Sequence, residues 1–122
     1  MSIYFVFLVG IGGGLGSICR YLLSTLLISF SPWITVLINV TGGFVIGFVY
    51  RYTENLSSAE QIRAFWIIGV CGGFTTFSAF GLDFFHLFKN GQIILGMIYI
   101  CLSVACTIRA VFLGMRAFQF FS

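Results

Sequence analysis

The sequence has 122 residues, of which 60% are hydrophobic and 7% are charged, and its formal net charge is +3. A soluble domain of this length leaves about a third of its unfolded surface in contact with water, so it could not hide this much apolar surface. These values exclude a soluble domain and indicate an all-α integral membrane protein. They give no sign of an enzyme or of nucleic-acid binding.

Charges and turns divide the chain into four apolar segments. They cover roughly residues 3–27, 33–50, 61–88 and 91–117. About 20 apolar residues in a helix cross a bilayer, so each segment is long enough for one crossing. The first segment is longer than the apolar core of a signal peptide and follows no basic region, so we predict a retained helix. The sequence therefore predicts a single four-helix transmembrane domain over residues 1–122.

The first segment combines closely spaced glycines with one arginine. Gly12 and Gly16 are four residues apart, a spacing typical of membrane helices that approach each other closely. Two interpretations of Arg20 are open. Its long side chain could reach the membrane interface, or its charge could attract anions to the mouth of a pore.

The second segment follows a turn at residues 29–32, and Pro32 suits the first turn of a helix. Asn39 is its most informative polar residue, because a carboxamide in hydrocarbon must find hydrogen-bond partners. Its two N–H groups could donate to an anion, or the side chain could join two helices. Residue type alone leaves both interpretations open.

A polar loop, residues 52–60, precedes the third segment. Ser57 and Glu60 have the spacing of a capping box, in which two side chains bond to free backbone N–H groups at a helix start. We therefore predict that a capping box starts the third helix.

Two adjacent glycines, Gly72 and Gly73, interrupt the third segment, because each weakens a helix by about 1 kcal/mol relative to alanine. The hydroxyl residues Thr75, Thr76 and Ser78 follow. Backbone that leaves the helical hydrogen-bond pattern inside a bilayer persists only if it is buried in protein, lines a cavity or binds an ion. We predict that the third transmembrane helix is broken near the middle of the membrane.

Phe77 and Phe80 come directly after this interruption and, three residues apart, share one face of a helix. An aromatic ring is electropositive at its edge, so ring edges turned toward a cavity could hold a small anion weakly. Conduction needs binding of this moderate strength. Further along the same helix, Asp83 lies at about the depth of Arg20, and we predict an ion pair between the first and third helices.

The fourth segment carries three hydroxyl side chains at four-residue spacing: Tyr99, Ser103 and Thr107. A single serine or threonine in a membrane helix usually bonds to a carbonyl group one turn back. Three hydroxyls in register could instead form a polar track down one face of the helix. Both interpretations are open.

Three stretches of the sequence resemble the Fluc (CrcB) family of fluoride channels. They are residues 12–21 (GGGLGSICRY), residues 39–42 (NVTG) with Gly47, and residues 72–80 (GGFTTFSAF). The resemblance covers all four segments and implies a fluoride-selective channel domain that exports cytoplasmic fluoride by passive electrodiffusion and lowers its toxicity. It also implies an antiparallel, dual-topology homodimer, with a structural sodium ion at the dimer interface, in the plasma (inner) membrane of a prokaryote.

The resemblance further implies roles for individual residues. The backbone carbonyl groups of Gly72 and Thr75 match the positions that hold sodium, and Arg20 matches a vestibule arginine. The residues implied to line the fluoride pore are Asn39, Phe77, Ser78, Phe80, Tyr99, Ser103 and Thr107.

The distribution of basic residues leaves the direction of membrane insertion open. With four crossings, one side of the membrane carries Arg51, Arg63, Arg109 and Arg116, and the other carries Arg20 and Lys89. Orientation follows such an imbalance, and this one is small, so insertion in both directions is an open possibility. Four helices can scarcely enclose a hydrated path, so we expect a second copy as partner, or else a distinct, related subunit.

Two other classes of protein stay open from the residues alone. A small dual-topology exporter of the multidrug-resistance type couples drug transport to protons through a carboxylate in its first helix. The first segment here contains Arg20 and no carboxylate. A non-transporting scaffold protein would need neither aligned hydroxyls nor an interrupted helix.

Overall fold

The computed structural model describes residues 2–121, and this part of the chain consists of helices and turns without a β-strand. The predicted all-α fold is confirmed. A short 3₁₀ turn, Ile28–Phe30, leads to Pro32, which directly precedes the second helix and is joined to Ser31 by a cis peptide bond. The helices are α1, Ile3–Leu26; α2, Trp33–Tyr52; α3, residues 59–74; α4, Phe77–Lys89; and α5, Ile93–Phe121.

Four segments of the described chain are long and apolar enough to cross a membrane: Ile3–Leu26, Trp33–Tyr52, Ala59–Lys89 and Ile93–Phe121. They coincide with the four predicted segments, although the last one extends further toward the C-terminus. The third comprises α3 and α4 together. That all 122 residues form one channel domain stays a prediction.

The third of these segments changes its backbone conformation along its length. α3 begins as an α-helix, Ala59–Arg63, continues as a π-helix, Ala64–Cys71, and ends with a helical turn, Gly72–Phe74. π-Helical hydrogen bonds are rare and often occur near functional sites. Thr75 and Thr76 then have extended backbone, with ψ angles of 158° and 125°, before α4 begins. That these two residues lie at the middle of a bilayer stays a prediction.

α1 and α3 approach each other so closely that their contact requires glycine. A Cβ atom on Gly12 would lie 2.5 Å from the carbonyl oxygen of Phe65, and one on Gly16 would collide with the carbonyl oxygen of Val70. The predicted role of these two glycines is therefore confirmed. Since no side chain separates the two backbones, α1 directly supports the part of α3 that leads into Thr75 and Thr76.

α2 and α5 pack in the same way. A Cβ atom on Gly43 would lie 3.0 Å from the carbonyl oxygen of Thr107, and one on Gly47 would collide with that of Val111. Four residues along α2 correspond to four residues along α5, so the two helices run in the same direction. Asn39 and Ser103, each one turn earlier, are thereby brought to the same level of the bundle.

α4 packs less completely than the other helices. It lies mainly against α5, and Leu87 is its only buried residue. Its first turn is closed by Thr76, whose hydroxyl oxygen accepts from the N–H of Ala79 at 3.1 Å. Its connection to α5 turns at Gly91, whose φ of 77° favours glycine.

The predicted capping box at the start of α3 is wrong. The residue before the helix is Ser58 rather than Ser57, and its side chain makes no capping hydrogen bond. A contact with α2 sets the start of α3 instead, because Arg63 Nε donates to Thr53 Oγ1 at 2.7 Å and its guanidinium lies 4.2 Å from the centre of the Tyr50 ring. This tertiary contact overrides the local pattern.

We expect Gly16→Ala to lower the free energy of unfolding by about 1–3 kcal/mol, because the added methyl group meets backbone that must move. Gly14→Ala, on the same helix, is the matched control. Nothing lies within 4 Å of a Cβ atom at Gly14, so alanine should be neutral or slightly stabilising there. Thermal unfolding of the purified variants in detergent measures the difference, and equal midpoints would contradict the close contact of α1 and α3.

Candidate anion cavity and cation site

The carboxamide of Asn39 holds the extended backbone at Thr76. Asn39 Nδ2 donates to the carbonyl oxygen of Thr76 at 3.0 Å, and the N–H of Thr76 donates to Asn39 Oδ1 at 2.8 Å. Because the two backbone partners have opposite polarity, they fix the orientation of the amide. Of the two predicted interpretations of Asn39, the bond between helices is present, and one of its two N–H groups stays free to donate elsewhere.

Two backbone N–H groups near the interruption bond to side chains instead of to the helix. In a continuous α-helix the N–H of Thr76 would donate to the carbonyl of Gly72, and that of Ala79 to the carbonyl of Thr75. Here the first donates to Asn39 Oδ1 and the second to Thr76 Oγ1. Within the described residues, the carbonyl groups of Gly72 and Thr75, like that of Phe74, therefore accept no hydrogen bond.

The other carbonyl groups at the end of α3 have partners. The carbonyl oxygen of Gly73 accepts from Arg20 Nε at 3.1 Å and from Ser17 Oγ at 3.4 Å. The carbonyl oxygen of Cys71 accepts from both the N–H and the hydroxyl of Thr75, at 2.9 and 2.7 Å. Arg20 is thus bonded through Nε to the backbone of α3, and both interpretations of its charged end stay predictions.

The free carbonyl groups fit a cation that prefers neutral oxygen ligands. Carbonyl oxygens are ligands for hard cations, and Gly72 is exposed on the surface of the protein, where a second set of ligands could approach. Among residues 2–121, no group of three or more His, Cys, Asp or Glu side chains could hold a metal ion. In this part of the chain, the backbone at the interruption is therefore the best candidate for a cation site.

A cavity of about 370 Å³ lies beside the interruption and opens to the surface. Its walls come from α2, from residues 75–80 and from α5, and five of the predicted pore residues meet there: Asn39, Phe77, Phe80, Ser103 and Thr107. Most of the wall is apolar, and the polar groups are an amide and hydroxyls without formal charge. Such a wall can hold an ion by hydrogen bonds while offering no opposite charge to trap it.

The aromatic rings of the cavity form a short row of neighbouring rings that extends into the bundle. The centres of the Phe77 and Phe80 rings are 5.4 Å apart at an angle of 52°, and Phe80 stacks on Tyr99 at 5.3 Å and 19°. Phe80 is therefore fixed from behind by a fully buried ring. Phe77, by contrast, is 75% exposed and projects away from the chain.

The Ser103 hydroxyl is the polar group of the cavity that most clearly lacks a partner. Ser103 is 5% exposed, and its Oγ makes no hydrogen bond within the described residues. A buried hydroxyl without a partner is costly, by about 1–3 kcal/mol. For Ser103 a bond to its own helix, one of the two predicted interpretations, is therefore absent. Ser103 is also one of the residues that line the cavity.

The family profile described as CrcB-like protein, Camphor Resistance (CrcB), matches residues 7–115. The chain belongs to the CrcB-like family. It is 43% identical over 120 residues to a protein of Methylobacterium radiotolerans named fluoride-specific ion channel FluC, a match that covers 93% of this chain and 84% of the relative. A protein of the same name from Rhizobium meliloti is 43% identical over 115 residues, which cover 90% of this chain and 92% of that relative.

A third FluC protein, from Azobacteroides pseudotrichonymphae, is 38% identical over 121 residues, which cover 95% of this chain and 97% of the relative. The matches thus include every helix of the CrcB-like chain. Together with the four segments able to cross a membrane, these bacterial relatives make it a multi-pass protein of the prokaryotic plasma membrane.

The predicted ion pair between Asp83 and Arg20 is wrong. Asp83 accepts a hydrogen bond of 2.8 Å from the hydroxyl of Tyr99, whereas Arg20 donates to Gly73. The physical reason is the register of α1 against α3, which sets Arg20 level with Gly73, ten residues before Asp83. α4 itself packs mainly against α5, where Asp83 meets Tyr99.

Two predicted pore residues of the CrcB-like chain do not line the cavity. Tyr99 lies behind Phe80, bonded to Asp83 and packed at 5.7 Å against the ring of Trp33. Ser78 lies at the start of α4, where its hydroxyl is 3.3 Å from that of Thr76. Their roles in a pore stay predictions, as do those of the residues that do line the cavity.

Sequence reasoning missed the apolar part of the cavity wall. One side of α5 supplies three exposed or half-buried residues at helical spacing: Val104, Ile108 and Val111. They adjoin Ser103 and Thr107 on the helix, so the polar track itself was the signal that could have found them. Thr76 was noted only as a hydroxyl, and its bond to Ala79 had no sequence signal beyond the interruption.

We expect Tyr99→Phe to destabilise the CrcB-like chain by about 1 kcal/mol, because it leaves the half-buried carboxylate of Asp83 without this donor. Tyr21→Phe is the matched control, since Tyr21 is 66% exposed and its hydroxyl makes no hydrogen bond within the described residues. Thermal unfolding compares the two variants. An equal effect of both substitutions would show that the bond between Tyr99 and Asp83 contributes nothing.

Proposed function

We propose that this CrcB-like chain is a fluoride-selective ion channel that lets fluoride leave the cytoplasm passively and so lowers fluoride toxicity. The observation that carries the proposal is the cavity, whose walls bring Asn39 and Phe80 together with Ser103, a residue whose hydroxyl has no partner within the described residues. The relatives named fluoride-specific ion channel support it. The protein is accordingly a channel and not an enzyme.

The cavity offers a small anion hydrogen-bond donors that replace those of its hydration water. Removing water from an ion as strongly hydrated as fluoride costs many kcal/mol, so the protein must supply donors. The hydroxyls of Ser103 and Thr107 and the free N–H of Asn39 are such donors. The edges of Phe77 and Phe80 add weak positive potential without a fixed charge. We propose that the pore excludes larger halides because it is too narrow for them.

The remaining pore residues act at the borders of this cavity. Tyr99 extends the line of hydroxyls from Ser103 and supports the ring of Phe80. Ser78 supplies a hydroxyl at the start of α4. Arg20 donates through Nε to Gly73, and its terminal nitrogens carry positive charge that draws anions toward a vestibule.

A second copy of the chain, inserted in the opposite direction, completes the pore. Two observations support this partner: Phe77 is 75% exposed, and the cavity opens to the surface beside it. In addition, a carbonyl group without a partner is costly in hydrocarbon, so that of Gly72 needs a ligand. An antiparallel homodimer would cover Phe77, close the cavity and bring a second set of carbonyl groups to Gly72. A related but distinct subunit in place of the second copy is the alternative.

A sodium ion fits the interface of this dimer. The carbonyl groups of Gly72 and Thr75 from the two copies would hold it, and its charge would tie the two interruptions together. Within each chain, Asn39 and Arg20 fix the flanking backbone, through Thr76 and Gly73, in a shape that keeps these carbonyl groups free.

The multidrug-resistance-type exporter is not supported. α1 contains no Asp or Glu that could couple transport to protons, and the relatives are named channels. A scaffold role does not require an unpartnered hydroxyl beside a cavity, which costs stability.

Fluoride efflux from liposomes tests the proposed function. Purified protein reconstituted in vesicles loaded with potassium fluoride should release fluoride when valinomycin balances the charge, and a proton gradient should not drive the flux. Vesicles loaded with potassium chloride are the control for selectivity. No fluoride release above that of protein-free vesicles, or uptake of a drug driven by protons, would overturn the proposal.

We expect Phe80→Ile to reduce fluoride efflux at least about tenfold, because isoleucine fills similar volume but has no electropositive ring edge. Phe7→Ile is the matched control, since Phe7 is 62% exposed on α1 and lies outside the cavity. Size-exclusion chromatography checks that both variants assemble as the parent protein does. Unchanged efflux in Phe80→Ile would remove the ring edge from the mechanism.

A further inference from the structure

We infer that Asn39 and Thr76 are positioning residues of the cation site. Their side chains capture the backbone N–H groups that would otherwise bond to the carbonyl groups of Gly72 and Thr75. The inference rests on the proposed function, in which these two carbonyl groups hold sodium. It gives Asn39 a second task beside the anion cavity and gives Thr76 a task of its own.

The carbonyl group of Gly72 is kept free by Asn39. The donor one turn further along the chain is the N–H of Thr76, and this N–H lies 2.8 Å from Asn39 Oδ1. The same carboxamide donates to the carbonyl of Thr76 at 3.0 Å. The N–H and the carbonyl group of Thr76 thereby both bond to α2, and the N–H does not bond to Gly72.

The carbonyl group of Thr75 is kept free by Thr76. Its donor in a continuous helix would be the N–H of Ala79, which instead lies 3.1 Å from Thr76 Oγ1. Thr76 thus begins α4 by capping it and, through the same bond, releases the oxygen one residue earlier.

Three of the neighbouring carbonyl groups have partners, unlike those of the two proposed ligands. Those of Gly73 and Thr76 are occupied by side chains of α1 and α2, and that of Cys71 is occupied by Thr75. The carbonyl of Phe74 is also without a partner within the described residues, but no side chain captures the N–H of Ser78, one turn further. Active capture of the donor is confined to the two proposed ligands.

Capture by an acceptor matters because an N–H group without one costs several kcal/mol in hydrocarbon. We expect the N–H of Ala79 to bond to the carbonyl of Thr75 if Thr76 Oγ1 is removed. The oxygen would then have to give up a hydrogen bond before it could bind a cation. Sodium affinity should fall even though every ligand atom is still present.

The test measures how much sodium stabilises the folded protein, because an ion that binds only the folded state raises the unfolding midpoint. Unfolding of the purified protein is followed in sodium chloride and in N-methylglucamine chloride at equal ionic strength. The parent protein and Thr76→Ser, which keeps the Oγ acceptor, should show the same sodium-dependent rise. Thr76→Val, which has no acceptor, should lose it.

Thr41→Val is the matched control. Thr41 is an exposed threonine on α2 that captures no backbone N–H within the described residues, so its substitution should keep the full sodium-dependent rise. A sodium-dependent rise in Thr76→Val equal to that of the parent protein would overturn the inference without affecting the proposed channel function. No rise in the parent protein would overturn the sodium site and the inference together, and fluoride efflux would then still test the channel.

Asn39 supplies a second pair of variants if Thr76→Val does not fold. Asn39→Asp keeps an oxygen that can accept from the N–H of Thr76, and Asn39→Leu has similar volume without one. The aspartate variant should keep the sodium-dependent rise, and the leucine variant should lose it. An equal rise in the two variants would contradict the role of the Oδ1 acceptor.

Discussion

The paired hydrogen bonds between the Asn39 carboxamide and the backbone of Thr76 are the constraint on which the rest of the structure depends. A peptide group that leaves the helix inside a membrane needs a donor and an acceptor, because the lipid supplies neither. Asn39 supplies both at 2.8 and 3.0 Å. This pair holds the chain between α3 and α4 in its extended form, beside the cavity and the free carbonyl groups.

Close helix contacts at glycines position Asn39 and Thr76 for these two hydrogen bonds. Gly47 brings α2 against the backbone of α5, and Gly16 brings α1 against the backbone of α3. The first contact sets Asn39 level with Ser103, and the second fixes the end of α3, where Arg20 bonds to Gly73. The cavity and the free carbonyl groups therefore adjoin the same short stretch of backbone. Small residues far from either site determine where that stretch lies.

The fold was largely predictable, because its signals are local. Composition alone defines the four segments, and the spacing of Gly12 and Gly16 predicts the contact of α1 with α3. The need of Asn39 for a partner also followed from residue type, but the partner itself did not, because Thr76 is 37 residues away. The predicted ion pair of Arg20 and Asp83 failed because the two residues are not level: close packing sets Arg20 beside Gly73, ten residues before Asp83. The register of one helix against another is a tertiary property that no local pattern encodes.

The sparse packing of α4 has a consequence for how the molecule is built. The pairs α1 with α3 and α2 with α5 are joined backbone to backbone, and each can form from a single chain. α4 has one buried residue, Leu87, and is joined to α5 by the hydrogen bond between Tyr99 and Asp83 and by the stacking of Phe80 on Tyr99. The chain itself therefore covers little of α4. Of all the helices, α4 is the one whose stability depends most on its surroundings.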